Sequence, residues 1–148
     1  MSASLFRLNN DSVSDQFLDD SRLIGMVTPM KDYQLCWEIN QALRFDFRLE
    51  PDLEIQLKKG RKTIFFNVFR YQETMKSVIH YLFNNHFRAE FLLPELKHFD
   101  CLWLVKGDYY LTGELKLLLE RVREIGSVRL VSELSLEEVK NRQNLILE

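Results

Sequence analysis

The sequence has little of the residues that build fibrous, linker-like or disulfide-stapled proteins: five glycines, three prolines and two cysteines in 148 residues. Collagen-like and low-complexity chains contain several times as much glycine and proline. Cys36 and Cys101 both stand in apolar runs, which is typical of reduced core thiols rather than of a disulfide. Because 46% of the residues are hydrophobic, we expect one globular domain over residues 1–148.

The sequence also lacks an excess of either charge and any long apolar run. Its 20 basic and 22 acidic residues give a net charge of −2, which excludes the overall positive charge of a non-specific DNA-binding protein. No stretch reaches the roughly 18–20 apolar residues of a transmembrane helix. Residues 1–7 lack the basic segment and the apolar stretch of a secretory signal. We therefore expect a cytoplasmic protein that does not contact a membrane.

Start and end signals predict three helices: residues 29–44 after a Thr28 cap, residues 112–125 between a Thr112 cap and Gly126, and residues 135–144 from a capping-box spacing at Ser135. The first two repeat apolar residues every three or four positions, as helices with one buried face do.

Apolar patterns predict strands at residues 4–8, 22–27, 53–57, 63–71, 78–83, 100–105 and 128–131. The strands at 63–71 and 78–83 are apolar on both faces, which is typical of strands covered on both sides. We predict an α+β fold with a mixed, mostly antiparallel sheet of about six or seven strands and three helices. Its C-terminal β-α-β-α segment predicts a parallel crossover joined to an antiparallel meander.

Residues 93–101 resemble the signature Ile-Pro-Glu-x-x-x-Val-Asp-Tyr. Pro94, Glu95 and Asp100 match this signature, two other positions keep an apolar residue, and Cys101 replaces the tyrosine. The signature gives its name to the IPExxxVDY family of Bacteroidetes-type bacteria, which the chain therefore resembles.

Residues 31–43 are similar to the first helix of that family, and this similarity makes Asp32, Trp37 and Asn40 further candidate motif residues. The family has no assigned activity, so the resemblance implies a relationship but not a function. Because tryptophan side chains are highly buried on average, Trp37 and Trp103 are both expected in the core.

Glu95 and Asp100 form a candidate carboxylate pair near the start of a predicted strand. Two carboxylates in one place suit acid–base chemistry or cation binding. The alternative is structural: Pro94 opens one helical turn, Glu95 favours its positive end, and Asp100 ties the loop to the strand. Because no third ligand stands at a recognisable spacing, we expect the structural role.

Motifs for metals, nucleophiles and phosphates are not recognisable. The three histidines and two cysteines give one isolated pair, His98 and Cys101, without a second pair at zinc-finger or ribbon spacing. No Gly-x-Ser-x-Gly elbow or glycine-rich phosphate loop occurs. We therefore expect no metal and no cofactor, and we favour a non-catalytic protein while keeping an enzyme as an alternative.

The near-zero net charge conceals one basic turn with four cations in five residues: Lys58, Lys59, Arg61 and Lys62. Phe65, Phe69 and Tyr71 follow on the next predicted strand, and a basic tip beside aromatic rings is typical of a surface for RNA or single strands. The alternative is a solvated turn whose lysines discourage edge pairing.

Three functions are compatible with these patterns. The first is a non-catalytic protein-interaction or assembly module, either a homodimer or a subunit of a larger assembly, because aromatic strands with two apolar faces have surface to spare. The second is an RNA- or nucleic-acid-binding module that uses the basic turn. The third is an enzyme or small-ligand binder that holds Glu95 and Asp100 in one concave pocket. We favour the first because catalytic motifs are missing.

Overall fold

A computed structural model describes residues 17–87, 89–111 and 113–147, without the side chain of Lys59. The predicted strand 4–8 and the predicted cap Thr112 lie outside these residues. The strands are β1 Ser21–Val27, β2 Arg48–Leu49, β3 Ile55–Lys59, β4 Lys62–Phe66, β5 Val68–Glu73, β6 Val78–Asn84, β7 His86–Phe87, β8 Glu90–Phe91, β9 Cys101–Lys106 and β10 Leu130–Leu134. The α-helices of this part of the chain are α1 Asp32–Leu43 and α2 Glu114–Arg123.

Six strands form one sheet in the order β10-β1-β9-β6-β5-β2, and β3–β4 and β7–β8 form two small sheets. Neighbouring strands are antiparallel throughout these sheets. The predicted α+β class with a mostly antiparallel sheet is therefore confirmed. The strands β9 and β10 do run in the same direction, but β1 lies between them, so the crossover through α2 does not join adjacent strands.

The predicted third helix, residues 135–144, is wrong. The chain forms two 3₁₀ turns instead, Leu136–Glu138 and Arg142–Leu145, and the Ser135 side chain makes no capping hydrogen bond. Val139 and Leu145 are both buried. An α-helix would place these two side chains about 120° apart around its axis, so burial of both favours the non-helical path that the chain takes.

The predicted strand 63–71 is interrupted at Asn67. Its first part, β4, pairs with β3, and its second part, β5, joins the six-stranded sheet. The alternation of faces still holds across the break: Ile64 and Val68 are buried in one cluster, and Phe69 in the other. The break lets the β3–β4 hairpin leave the sheet and fold across one of its faces.

Both faces of the six-stranded sheet are buried, as predicted for its apolar strands. Helices α1 and α2 cover one face, where Trp103 and Leu82 pack. The β3–β4 hairpin and the C-terminal turns cover the other face, where Leu102 and Phe83 pack. The chain's own elements therefore use the apolar surface that the sequence offered for a partner.

Helix α1 begins at Asp32, three residues later than predicted. Thr28 does not cap it; its hydroxyl accepts a hydrogen bond from the Met30 N–H (3.2 Å) and donates to the Ser127 carbonyl (2.8 Å). The helix ends at Leu43, and the next residue, Arg44, takes the left-handed conformation (φ 57°). The apolar face of α2 is buried as predicted, but Gly126 does not adopt the positive φ expected after a helix end.

No helix in the described ranges has the length and apolar character to cross a bilayer.

We expect Gly25→Ala to destabilise the protein, because an added Cβ would lie 2.5 Å from the ring of Phe99, which packs on β1 at this position. Forcing a methyl group into a packed core costs about 1–3 kcal/mol of unfolding free energy. Chemical denaturation measures this loss. Gly126→Ala is the control, since its Cβ would meet no atom within 4 Å and its φ is not positive. Equal stability of Gly25→Ala and the wild type would contradict this packing.

Candidate functional site

The Glu95 side chain links its own turn to the C-terminal segment through hydrogen bonds. Pro94 opens a 3₁₀ turn, Pro94–Leu96, and places Glu95 in its first turn. The Glu95 carboxylate accepts hydrogen bonds from the Asn141 backbone N–H (2.7 Å) and from the Asn141 side-chain amide (3.1 Å). Burial alone would raise the pKa of Glu95, but these hydrogen bonds hold it below its ordinary value. A general acid needs a raised pKa, so this carboxyl group is not suited to that role at neutral pH.

Asp100 ties a different pair of segments. Its Oδ2 accepts a hydrogen bond from the Thr28 backbone N–H (2.9 Å), and its Oδ1 lies 3.5 Å from His86 Nε2. Neither Glu95 nor Asp100 lines the four cavities of about 650, 260, 340 and 420 Å³ that described residues form. The two carboxylates therefore hold separate loops, and none of these cavities contains both of them.

The candidate residues of the first helix differ in exposure. Asn40 clamps the chain after α1, because its side chain accepts from the Phe47 N–H (2.8 Å) and donates to the Phe47 carbonyl (3.2 Å). Asp32 lies in the first turn, where its charge favours the positive end of the helix. Trp103 lies in the core as expected, but the same expectation is wrong for Trp37, which is 60% exposed.

Trp37 belongs to an exposed row on the outer side of α1. Tyr33, four residues earlier, is 56% exposed, and residues at this spacing are neighbours on a helix surface. Gln41 is exposed and continues the row, and the exposed Arg44 follows directly after the helix in a left-handed conformation. We call these four residues the α1 stripe. Two large aromatic side chains side by side in solvent are unusual, because tryptophan is highly buried on average.

The sequence did not predict a buried polar cluster on the helix face of the sheet. Glu73 Oε1 accepts hydrogen bonds from His80 Nε2 (2.7 Å) and from the Tyr110 hydroxyl (2.8 Å), and Lys76 Nζ lies 3.4 Å from Oε2. Trp103 Nε1–H donates to His80 Nδ1 (3.0 Å), so the His80 ring carries its proton on Nε2. The cluster joins the three strands β5, β6 and β9 to the turn before α2.

The protonation states of this cluster follow from burial and hydrogen bonding. Burial lowers the pKa of His80, although the Glu73 carboxylate opposes the shift, so the ring stays neutral. Burial would raise the pKa of Glu73, but the hydrogen bonds from His80 and Tyr110 and the charge of Lys76 hold it below its ordinary value. Every buried side-chain polar atom in the described residues has a partner, as in a structural network.

A pattern in the sequence could have revealed this cluster. His80 stands inside an apolar strand, and a buried imidazole needs hydrogen-bond partners. In the β5–β6 register Glu73 lies opposite Val78, which makes it the diagonal neighbour of His80 on the same face. The pairing register is the information that the sequence alone did not supply.

The basic turn is exposed, as predicted for its cations. Gly60 takes a positive φ of 64° in a two-residue connection between β3 and β4. Lys58, Arg61 and Lys62 are exposed, and the Lys59 side chain lies outside the described part of the structure. The predicted aromatic surface of Phe65, Phe69 and Tyr71 is not continuous, because β4 and β5 lie in different sheets and Phe69 is buried.

The described residues offer no metal-binding cluster and no activated thiol. The described residues contain no group of three or more His, Cys, Asp or Glu side chains placed to hold a metal ion. Cys36 and Cys101 are free and buried, and burial raises the pKa of the Cys101 thiol to about 12. A thiol protonated at neutral pH is a poor nucleophile.

No family model, curated protein sequence or solved structure matches this chain. The fold and the geometry of the described residues therefore carry the functional argument.

We expect stability to fall as the pH decreases below about 6.5. In the unfolded chain His80 binds a proton near that pH, whereas the folded protein keeps it neutral, so protons favour unfolding. Each such group lowers the unfolding free energy by up to about 1.4 kcal/mol per pH unit. Glu73, with its lowered pKa, adds a loss in the same direction below about pH 4.5.

Chemical denaturation between about pH 8 and about pH 5 measures this dependence. His98→Gln is a control that should keep it, since His98 is exposed. An unfolding free energy that is constant over this range would contradict the neutral, buried state of His80.

Proposed function

We propose that the protein is a non-catalytic interaction module that self-associates through the α1 stripe. The observation that carries the proposal is the pair Tyr33 and Trp37, 56% and 60% exposed on one helix face. Tryptophan, tyrosine and arginine are the residues most enriched among those that dominate binding energy at protein interfaces. The stripe contains three of these residues, and Arg44 is its only charged member.

A second copy of the chain is a suitable occupant of this surface. Trp37 lies at the middle of α1, so two antiparallel copies of the helix related by a twofold axis would place Trp37 against its counterpart. Each Arg44 would then lie toward the aromatic end of the other helix, where a guanidinium group can pack over the Tyr33 ring. The α1 stripe contains no acidic group and one cation. Pairing the stripes of two copies therefore brings little charge repulsion to the centre of the interface.

The other functions proposed from the sequence have different support. A catalytic or ligand-binding role for Glu95 and Asp100 is not supported by the geometry, because each carboxylate forms its own structural hydrogen bonds.

A relationship to the IPExxxVDY family and a cytoplasmic location remain parts of the proposal. The matches at Pro94, Glu95 and Asp100 support the relationship, and the two free cysteines support a reducing compartment.

Sedimentation velocity at about 100 µM tests self-association, since this concentration reveals dimers with micromolar dissociation constants. We expect a species of twice the 17.7 kDa chain mass. Trp37→Ala should weaken dimerisation by at least about 30-fold, because losing a central interface tryptophan costs about 2 kcal/mol or more.

Leu117→Ala is the matched control, because Leu117 is also a large apolar residue, 54% exposed, and lies on the other helix. It should leave the dimer unchanged. A wild-type protein that is monomeric at this concentration, or equal effects of the two substitutions, would contradict the proposal.

A further inference from the structure

The outer face of the β3–β4 hairpin combines one cation, Lys58, with an exposed aromatic ring, and Arg61 stands at the turn beside it. The register pairs Lys58 with Thr63 and Gln56 with Phe65, and alternation places these four side chains on the face opposite the buried Ile64. Phe65 is 44% exposed. Diagonal positions across an antiparallel pair are about 7–8 Å apart, so Phe65 and Lys58 are close neighbours.

The cations of this hairpin are available to an external anion. Lys58, Arg61 and Lys62 form no ion pair or side-chain hydrogen bond with any residue in the described ranges. Elsewhere several cations are paired with carboxylates: Arg22–Glu133, Arg48–Asp46, Lys76–Glu73 and Lys106–Asp20. The hairpin therefore carries positive charge that the described acidic residues do not neutralise.

A cleft of about 340 Å³ lies between β4 and the β7–β8 hairpin. Its lining residues are Lys62, Thr63, Ile64, Phe87, Ala89 and Glu90. The volume falls within the roughly 300–1,000 Å³ range of pockets for small organic ligands. Alternation places Lys62 on the same face as Ile64, so it adds a cation to this lining, and Phe87 lies in the same lining. The Glu90 carboxylate repels a phosphate inside the cleft and can accept a hydrogen bond from the amino group of a base.

We propose that the β3–β4 hairpin and this cleft bind single-stranded nucleic acid. Lys58, Arg61 and Lys62 hold phosphates, one base stacks on Phe65, and a second enters the cleft beside Phe87. Proteins that bind single strands combine these two elements, a positive groove along the backbone and aromatic rings for the bases.

The aromatic rings distinguish this site from a merely charged turn. Lysines at a sheet edge discourage strand pairing, but that role does not account for an exposed Phe65 on the outward face. A duplex also offers phosphates, yet its bases are stacked inside and cannot reach Phe65. The site therefore discriminates single strands from duplexes.

Fluorescence anisotropy with labelled oligo(A) of about 12 nucleotides, as RNA and as DNA, tests the proposal. Binding of either strand supports it and identifies the ligand, and binding of neither overturns it. With three phosphate contacts, affinity should fall about 20-fold between about 50 mM and about 200 mM salt. The triple substitution Lys58→Ser, Arg61→Ser, Lys62→Ser should abolish binding.

Two comparisons separate the site from general electrostatics. The triple substitution Lys97→Ser, Lys116→Ser, Arg129→Ser removes the same charge from other exposed positions and should leave affinity within about threefold. Phe65→Ala and Phe87→Ala should each weaken binding about tenfold without changing the salt dependence. Equal loss in both triple variants, no effect of either phenylalanine, equal affinity for a duplex, or displacement of the strand by oligo-glutamate at equal charge would overturn the proposal.

Discussion

The central strand β9 carries apolar side chains on both faces, and the arrangement of the remaining elements follows from the need to keep both faces from water. Trp103 points toward the helices, and Leu102 and Leu104 point toward the hairpin and the C-terminal turns. Burial of such residues is the dominant favourable contribution to folding. Because helices α1 and α2 cover one face and the β3–β4 hairpin covers the other, each covering element has one buried and one outward side. The candidate interaction surfaces are on these outward sides.

Buried polar groups hold the covering layers in place. Glu73 connects the β5–β6 hairpin to the turn before α2 through His80 and Tyr110. On the opposite face, Glu95 fixes the C-terminal turns through Asn141. A buried or half-buried carboxylate without these partners would be costly, so each tie also restricts the segments to one arrangement. The motif carboxylate Glu95 and the histidine His80 both have structural roles of this kind, although residues of these types are often catalytic.

Local sequence patterns predicted how side chains alternate between the two faces of a strand. They did not predict the features that depend on contacts between residues distant in the sequence. The opposite faces of Ile64 and Phe69 were predictable because side-chain alternation survives the interruption at Asn67. The interruption itself was not predictable, since it depends on how the β3–β4 hairpin packs across the sheet. The capping-box spacing at Ser135 predicted a helix, but the burial of Val139 and the tie between Glu95 and Asn141 outweigh the local preference. The exposure of Trp37 was likewise unpredictable, because an aromatic residue in a helix is usually a core residue.

The central claim is that the α1 stripe lies against a second copy of the chain, and the fluorescence of Trp37 tests it directly. Trp103 is buried and hydrogen-bonded to His80, so Trp37 supplies the exposed tryptophan signal. If the stripe is an interface, quenching of Trp37 by acrylamide should be weak in concentrated protein and should increase on dilution as dimers dissociate. Strong quenching that is independent of protein concentration would show that Trp37 faces solvent in every state and would contradict the account.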